Sequence, residues 1–178
     1  MNETLPIVYI SILLVILSSA AVFILLQIFK TRKFETSFSK LQKKLKQEKG
    51  TSQEYYELGS LYLKKKLFVQ SIALFQKALK TGEEIEAENQ ALIYNALGFA
   101  YLAQEQYDLA IRQYKEALKL YPEYVVALNN LGNAYEKKQL TAKALEVYEN
   151  ALKYDPKNSI AKKRAESLRK RFVPTSSQ

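Results

Sequence analysis

The chain has 178 residues and a formal net charge of +9, and it contains no Cys, His or Trp. That composition excludes thiol nucleophiles, histidine general bases, disulfides and the usual zinc ligands. The length suits one domain plus an appendage, and Lys outnumbers Arg by 22 to 5, a usage that fits an AT-rich genome such as an organelle's.

Residues 1–6 form a short N-terminal tail, and residues 7–29 (IVYISILLVILSSAAVFILLQIF) carry no charge. As a helix this run spans ~34 Å, enough for a bilayer core of ~30 Å. A cleaved signal peptide is the rival reading. It requires a basic segment ahead of the apolar run, and Glu3 is the charged side chain found there. Cutting after Ser18-Ser19-Ala20 would also leave AVFILLQIF attached to the rest of the chain. Residues 7–29 are therefore read as a retained transmembrane anchor.

Residues 30–50 are a basic juxtamembrane spacer, with eight Lys/Arg against Glu35 and Glu48. Positive residues remain on the cytoplasmic side or its organellar equivalent, so the rest of the chain is expected in the cytosol, stroma or matrix. Phe34, Phe38, Leu41 and Leu45 recur at helical spacing. They predict a helix over 34–49 that acts as a solvated spacer or lies on anionic lipid. Gly50 breaks the pattern, and Thr51 or Ser52 can cap the next helix.

A short pattern then occurs three times. Tyr94, Leu97, Gly98, Tyr101, Ala110, Tyr114, Ala117 and Pro122 reappear 34 residues later as Leu128, Leu131, Gly132, Tyr135, Ala144, Tyr148, Ala151 and Pro156. Tyr55, Leu58, Gly59, Tyr62, Ser71, Phe75 and Ala78 form a looser earlier copy. The repeats span 52–85, 91–124 and 125–158, within 51–158. Residues 86–90 are extra and lengthen the first helix of the second repeat, and Gly82 is the expected stop of the helix before it. Glu83, Glu84, Glu86 and Glu88 cluster at that helix start, where acids favour the dipole's positive end. The glycines leave room where paired helices meet, and Pro122 and Pro156 end theirs. Residues 159–172 predict a capping helix, with Ile160, Ala161, Ala165, Leu168 and Phe172 on its apolar side and a basic outer face. Residues 173–178 are expected to be disordered.

The 34-residue period and its spacing resemble the tetratricopeptide repeat, a helix–turn–helix unit. The resemblance implies an all-α fold: a transmembrane helix, an α-solenoid of three helix pairs, and a C-terminal capping helix. It also implies a protein-binding groove. Carried over from the family, that groove consists of Tyr56, Ser60, Leu92, Asn95, Phe99, Leu102, Val126, Asn129, Asn133 and Lys163, with Gln53, Leu63 and Glu136 at equivalent positions. The asparagines suit a peptide backbone. The family's clamp for chaperone tails falls on Tyr56, Ser60, Ala96, Val126 and Asn130, none of them basic, so that clamp is missing. The basic residues flank the repeats rather than striping them, which argues against nucleic acid. No catalytic, cofactor or metal site is expected.

Anchor, basic spacer, three repeats and basic cap together resemble the small membrane-anchored photosystem I assembly protein of red-algal plastids and cyanobacteria. That resemblance implies a single-pass thylakoid protein with stromal repeats. Its implied partners are photosystem I subunits or assembly intermediates. The alternative is a repeat co-factor for secretion, import or envelope assembly in a bacterial or mitochondrial membrane, in the bacterial case with cytoplasmic repeats.

Overall fold

A 44-residue helix, α1 (Thr4–Gln47), opens the computed structural model, which describes residues 4–171. Seven shorter helices follow: α2 (Ser52–Lys64), α3 (Phe68–Ala78), α4 (Ala87–Ala103), α5 (Tyr107–Leu120), α6 (Val125–Lys137), α7 (Thr141–Tyr154) and α8 (Ser159–Arg169). The described residues are all-helical. The expectations for residues 1–3, Phe172 and 173–178 lie outside them.

The chain divides into two units, Met1–Gln47 and Glu48–Gln178. In the first, the uncharged run and the basic run share one helix. No break separates residue 29 from residue 30, because neither Gly nor Pro interrupts the 30–47 stretch and its Lys residues favour helix. The helix therefore continues about 27 Å past Phe29 at about 1.5 Å per residue. Its apolar residues from Val8 to Phe29 are exposed, and Phe34 stacks on Phe38 with ring centroids 6.5 Å apart.

In the second unit, α2 pairs with α3, α4 with α5 and α6 with α7, and α8 closes the array against α7. Thr51 caps α2 in a capping box: its side chain accepts from the Glu54 N–H at 3.2 Å, and Glu54 accepts from the Thr51 N–H at 3.1 Å. Asn158 caps α8 by accepting from the Ala161 N–H at 2.9 Å. Tyr121 and Asp155 precede prolines and take extended backbones (φ −136° and −132°), so α5 and α7 end just before them. The extra residues lengthen α4 at its start, as their helix-forming composition predicts. Gly82 is a correction. Helix α3 ends at Ala78, and Gly82 lies in the following loop at φ 80° rather than at the helix stop.

The turn inside each pair is identical in kind. Lys66, Glu105 and Gln139 each adopt φ 59°. The next residue's N–H reaches back to the first helix: Leu67 to Tyr62, Gln106 to Tyr101 and Leu140 to Tyr135, at 2.9–3.0 Å. This is the Schellman closure, formed here without glycine.

Large buried rings hold each pair together. Adding a Cβ to Gly59, Gly98 or Gly132 would bring it within 2.7 Å of the Phe75, Tyr114 or Tyr148 ring. Those rings are fully buried, each worth about 1.5–3 kcal/mol of burial. In the first pair Ser71 adds a hydrogen bond from its hydroxyl to the Gly59 carbonyl, 2.9 Å. Between pairs, Ala91, Ala117 and Ala127 form a small-residue seam. In α8 the buried face is Ala161, Ala165 and Leu168. Ile160 does not join it: its side chain is 58% exposed, because Asn158 caps the helix and turns Ile160 outward.

Candidate protein-binding groove

The odd-numbered pairing leaves one face of α2, α4, α6 and α8 free of the second helices. Residues 34 apart share a register on it. Leu92, Val126 and Ile160 form one row, of which Val126 is 52% and Ile160 58% exposed. Phe99, two turns along α4 from Leu92, is 45% exposed. Tyr56 is half-buried and leans on Phe75, with ring centroids 5.8 Å apart. Ser60, Leu92, Asn95, Leu102, Asn129 and Asn133 are half-buried, and Lys163 is exposed.

Two sets of these residues are brought together. Tyr56 and Leu92 line a cavity of about 350 Å³ at the starts of α2 and α4, with Glu83, Glu84 and Glu86 around it. Its position follows from the extra residues of α4 and from Glu83, which accepts the Ser52 N–H at 2.8 Å and pins the start of α2. The asparagines form the second set. Asn95 donates to the Tyr124 hydroxyl at 3.3 Å, and Asn129 donates to the Asn158 side chain at 3.1 Å. Tyr124 and Asn158 each sit at the start of the next first helix, so the asparagines tie one repeat to the next. Asn95 also accepts from Asn130 at 2.9 Å. Its amide is engaged on both sides, which leaves it less capacity for a peptide than the sequence suggests. The other expected lining residues, Ser60, Phe99, Val126, Asn133 and Lys163, join the face through helical register.

A charge pair replaces this arrangement at the last repeat. Glu136 accepts the Tyr148 hydroxyl at 2.8 Å and lies 3.7 Å from the Arg164 guanidinium. Arg164 occupies the register of Asn130, so the Asn129 carbonyl oxygen is buried without a partner where that of Asn95 has one. Leu102 occupies the register of Glu136, and the Tyr114 hydroxyl is likewise buried without a partner. Burial pushes the Tyr114 phenol above its ordinary value. Burial also raises Tyr148, helped by its bond to Glu136 and by that carboxylate's charge, with Arg164 opposing. Tyr124 is raised chiefly by burial, and its bond with Asn95 offsets part of that.

Such a face offers apolar contact, amide bonding and charges of both signs. Ile160, Asn130 and Asn158 belong to it and were not among the residues expected there. Adding 34 to Val126 locates Ile160, so the register signal was present. The amide pairing of Asn130 with Asn95 has no signature in a single sequence.

Tetratricopeptide-repeat family models match residues 53–123 and 95–159. The protein ycf37 of Guillardia theta is 38% identical over 173 residues, covering 97% of this chain and 97% of its own length. The ycf37 protein of Cyanophora paradoxa is 41% identical over 142 residues, 80% of this chain and 82% of that one. The chloroplastic tetratricopeptide repeat domain-containing protein PYG7 of Arabidopsis thaliana is 33% identical over 163 residues, 92% of this chain and 54% of its own. Among solved structures, MamA superposes with a TM-score of 0.72 at 22% identity, over 80% of this chain and 81% of that one. The first repeat domain of RPAP3, bound to an HSP90 peptide, gives 0.62 at 20% identity, over 68% and 92%. These two likenesses concern the fold.

Proposed function

This chain is a plastid tetratricopeptide-repeat protein of the ycf37 family, and from that premise we propose that it is a membrane-anchored scaffold for photosystem I assembly. In this reading α1 crosses the thylakoid membrane through residues 7–29 and the repeats lie on the stromal side. The basic run of residues 30–49 meets anionic lipid at the surface. The groove of Tyr56, Ser60, Leu92, Asn95, Phe99, Leu102, Val126, Asn129, Asn133 and Lys163 holds a photosystem I subunit or an assembly intermediate.

The observation that carries the reading is the joining of two things in one short chain. One is a helix with a 23-residue uncharged run exposed to its surroundings. The other is a repeat unit that leaves large apolar side chains uncovered at matching register. An exposed apolar run of that length is costly in water and at home in lipid. Tethering the repeats to the membrane raises their effective concentration near membrane-bound clients without any new contact. The chloroplastic location in the name of the Arabidopsis relative favours a plastid membrane over the bacterial and mitochondrial alternative. The lining supports a protein client: repeat arrays present extended binding surfaces, and this one lacks the basic pair that grips a chaperone's terminal carboxylate, Asn130 being bonded to Asn95.

The test is affinity purification from mildly solubilised thylakoids sampled through photosystem I biogenesis. The expected result is co-purification of photosystem I assembly intermediates at an early stage and their loss at maturity. Absence of such intermediates at every stage would contradict the reading.

A further inference from the structure

We propose that the groove has a direction set by charge. It takes an extended client segment with an Arg or Lys at one end, apolar side chains in the middle and an Asp or Glu at the other. The proposal rests on the groove reading above and goes beyond it by naming the client's chemistry.

The row Leu92, Val126, Ile160 runs across α4, α6 and α8 and ends on chemically opposite features. At the α2–α4 end it opens into the cavity of about 350 Å³, which Leu92 shares with Tyr56, Glu83, Glu84 and Glu86 and whose lining holds no cation. Glu83 is bonded to the Ser52 N–H and Glu86 to the Asn89 amide, so both carboxylates are held in place and remain anionic. A long basic side chain matches this cavity. Its methylene stem covers Tyr56 and Leu92, and its head meets the carboxylates. At the α8 end the row passes Ile160 and reaches the exposed Lys162 and Lys163, which meet an acidic side chain. Between them, Val126 and Ile160 are both more than half exposed, and water-covered apolar surface of this kind is released on burial by an apolar segment. A surface acidic at one end and basic at the other discriminates a segment from its reverse, because the wrong order sets like charges together.

The acidic end depends on the extra residues. Glu86 and Asn89 belong to the 86–90 insertion. A repeat array of unbroken 34-residue period has no residues there to build that wall.

The test uses the full-length protein in detergent micelles and fluorescein-labelled twelve-residue peptides read by anisotropy. All share a Val/Leu-rich centre. One set carries Arg at its N-terminal end and Glu at its C-terminal end, one the reverse, and one Gln at both. The expected result is that one charged order binds at least tenfold tighter than the other and than the Gln peptide. That preference should fall below threefold in the Glu84→Lys/Glu86→Lys variant, which keeps Glu83 on Ser52, and as salt is raised from 50 to 500 mM. Equal binding of both orders, or an unchanged preference in the double variant, overturns the proposal. In that event, binding of the Gln peptide that is lost in the exposed Phe99→Asp variant shows that the groove reading survives. If no peptide binds at all, both readings fall.

Discussion

Tyr148 donates its hydroxyl hydrogen bond to Glu136 at 2.8 Å, across the joint between the two helices of the last repeat. Its counterpart 34 residues earlier, Tyr114, is equally buried, but Leu102 stands where the carboxylate would be, and the hydroxyl has no partner among the described residues. The first repeat resolves the matter by using Phe75. An unmade buried hydrogen bond costs about 1–3 kcal/mol, and one to a charged acceptor stabilises by about 1.5–3. Tyr114→Phe should therefore raise stability by about 1 kcal/mol. Tyr148→Phe should lower it by ~1.5 kcal/mol, the low end, because Glu136 keeps Arg164. Urea melts of the detergent-solubilised protein at neutral pH, followed by circular dichroism, read both.

The same two phenols set the response to alkali. Both are raised above the ordinary value of about 10, with burial the leading cause. The folded state thus keeps protons that the unfolded state releases. Their contribution is fully present below pH about 10 and is lost as pH rises through the folded values. Stability should fall steeply above pH 10. The Tyr114→Phe/Tyr148→Phe double variant should show a shallower decline, measured by chemical melts from pH 8 to 12.

The helix-pair glycines should tolerate nothing larger. Gly98→Ala gains up to ~1 kcal/mol of helix propensity. It also drives a Cβ to 2.7 Å from the Tyr114 ring, which is fully buried and has nowhere to swing. Overpacking of this kind costs about 1–3 kcal/mol. A net loss of ~1–2 kcal/mol in thermal or urea melts is expected, with a similar loss for Gly132→Ala.

The tight turns run the other way. Gln139 and Glu105 hold left-handed backbones that cost an L-residue about 1–2 kcal/mol. Glycine removes that strain but adds about 0.5–1 kcal/mol of unfolded-state entropy. Gln139→Gly and Glu105→Gly should each stabilise by ~0.5–1 kcal/mol, and a scan of melting temperature for the two variants and their combination checks it.

Helix type and pairing were legible because the 34-residue period repeats the same small residues and rings at the same places, and Pro122 and Pro156 mark their ends. Thr51 with Glu54 announced the start of α2 in the same way. The α3 stop was not legible. Gly82 is the obvious candidate, yet the helix had already ended at Ala78, where Thr81 bonds back to the Ala78 carbonyl at 3.3 Å. Ile160 misled for a related reason: an apolar residue at a helix start reads as core, and only the cap at Asn158 shows that it faces outward. The groove residues were legible as register positions. Their couplings, Asn95 with Tyr124 and Asn130, or Glu136 with Tyr148 and Arg164, arise from side chains 12 to 35 residues apart, which no local pattern encodes.

The central claim is that this anchored repeat unit holds a photosystem I client on the face that carries Phe99, Val126 and Ile160. Placing a photo-crosslinking amino acid singly at each of those positions, and at the exposed Lys115 and Lys143 on the second helices, tests it in intact thylakoids during photosystem I biogenesis. The account predicts crosslinks to a photosystem I subunit from Phe99, Val126 and Ile160 that are absent from Lys115 and Lys143. Crosslinks to such a subunit from the second-helix positions alone, or none from any of the five, would contradict it.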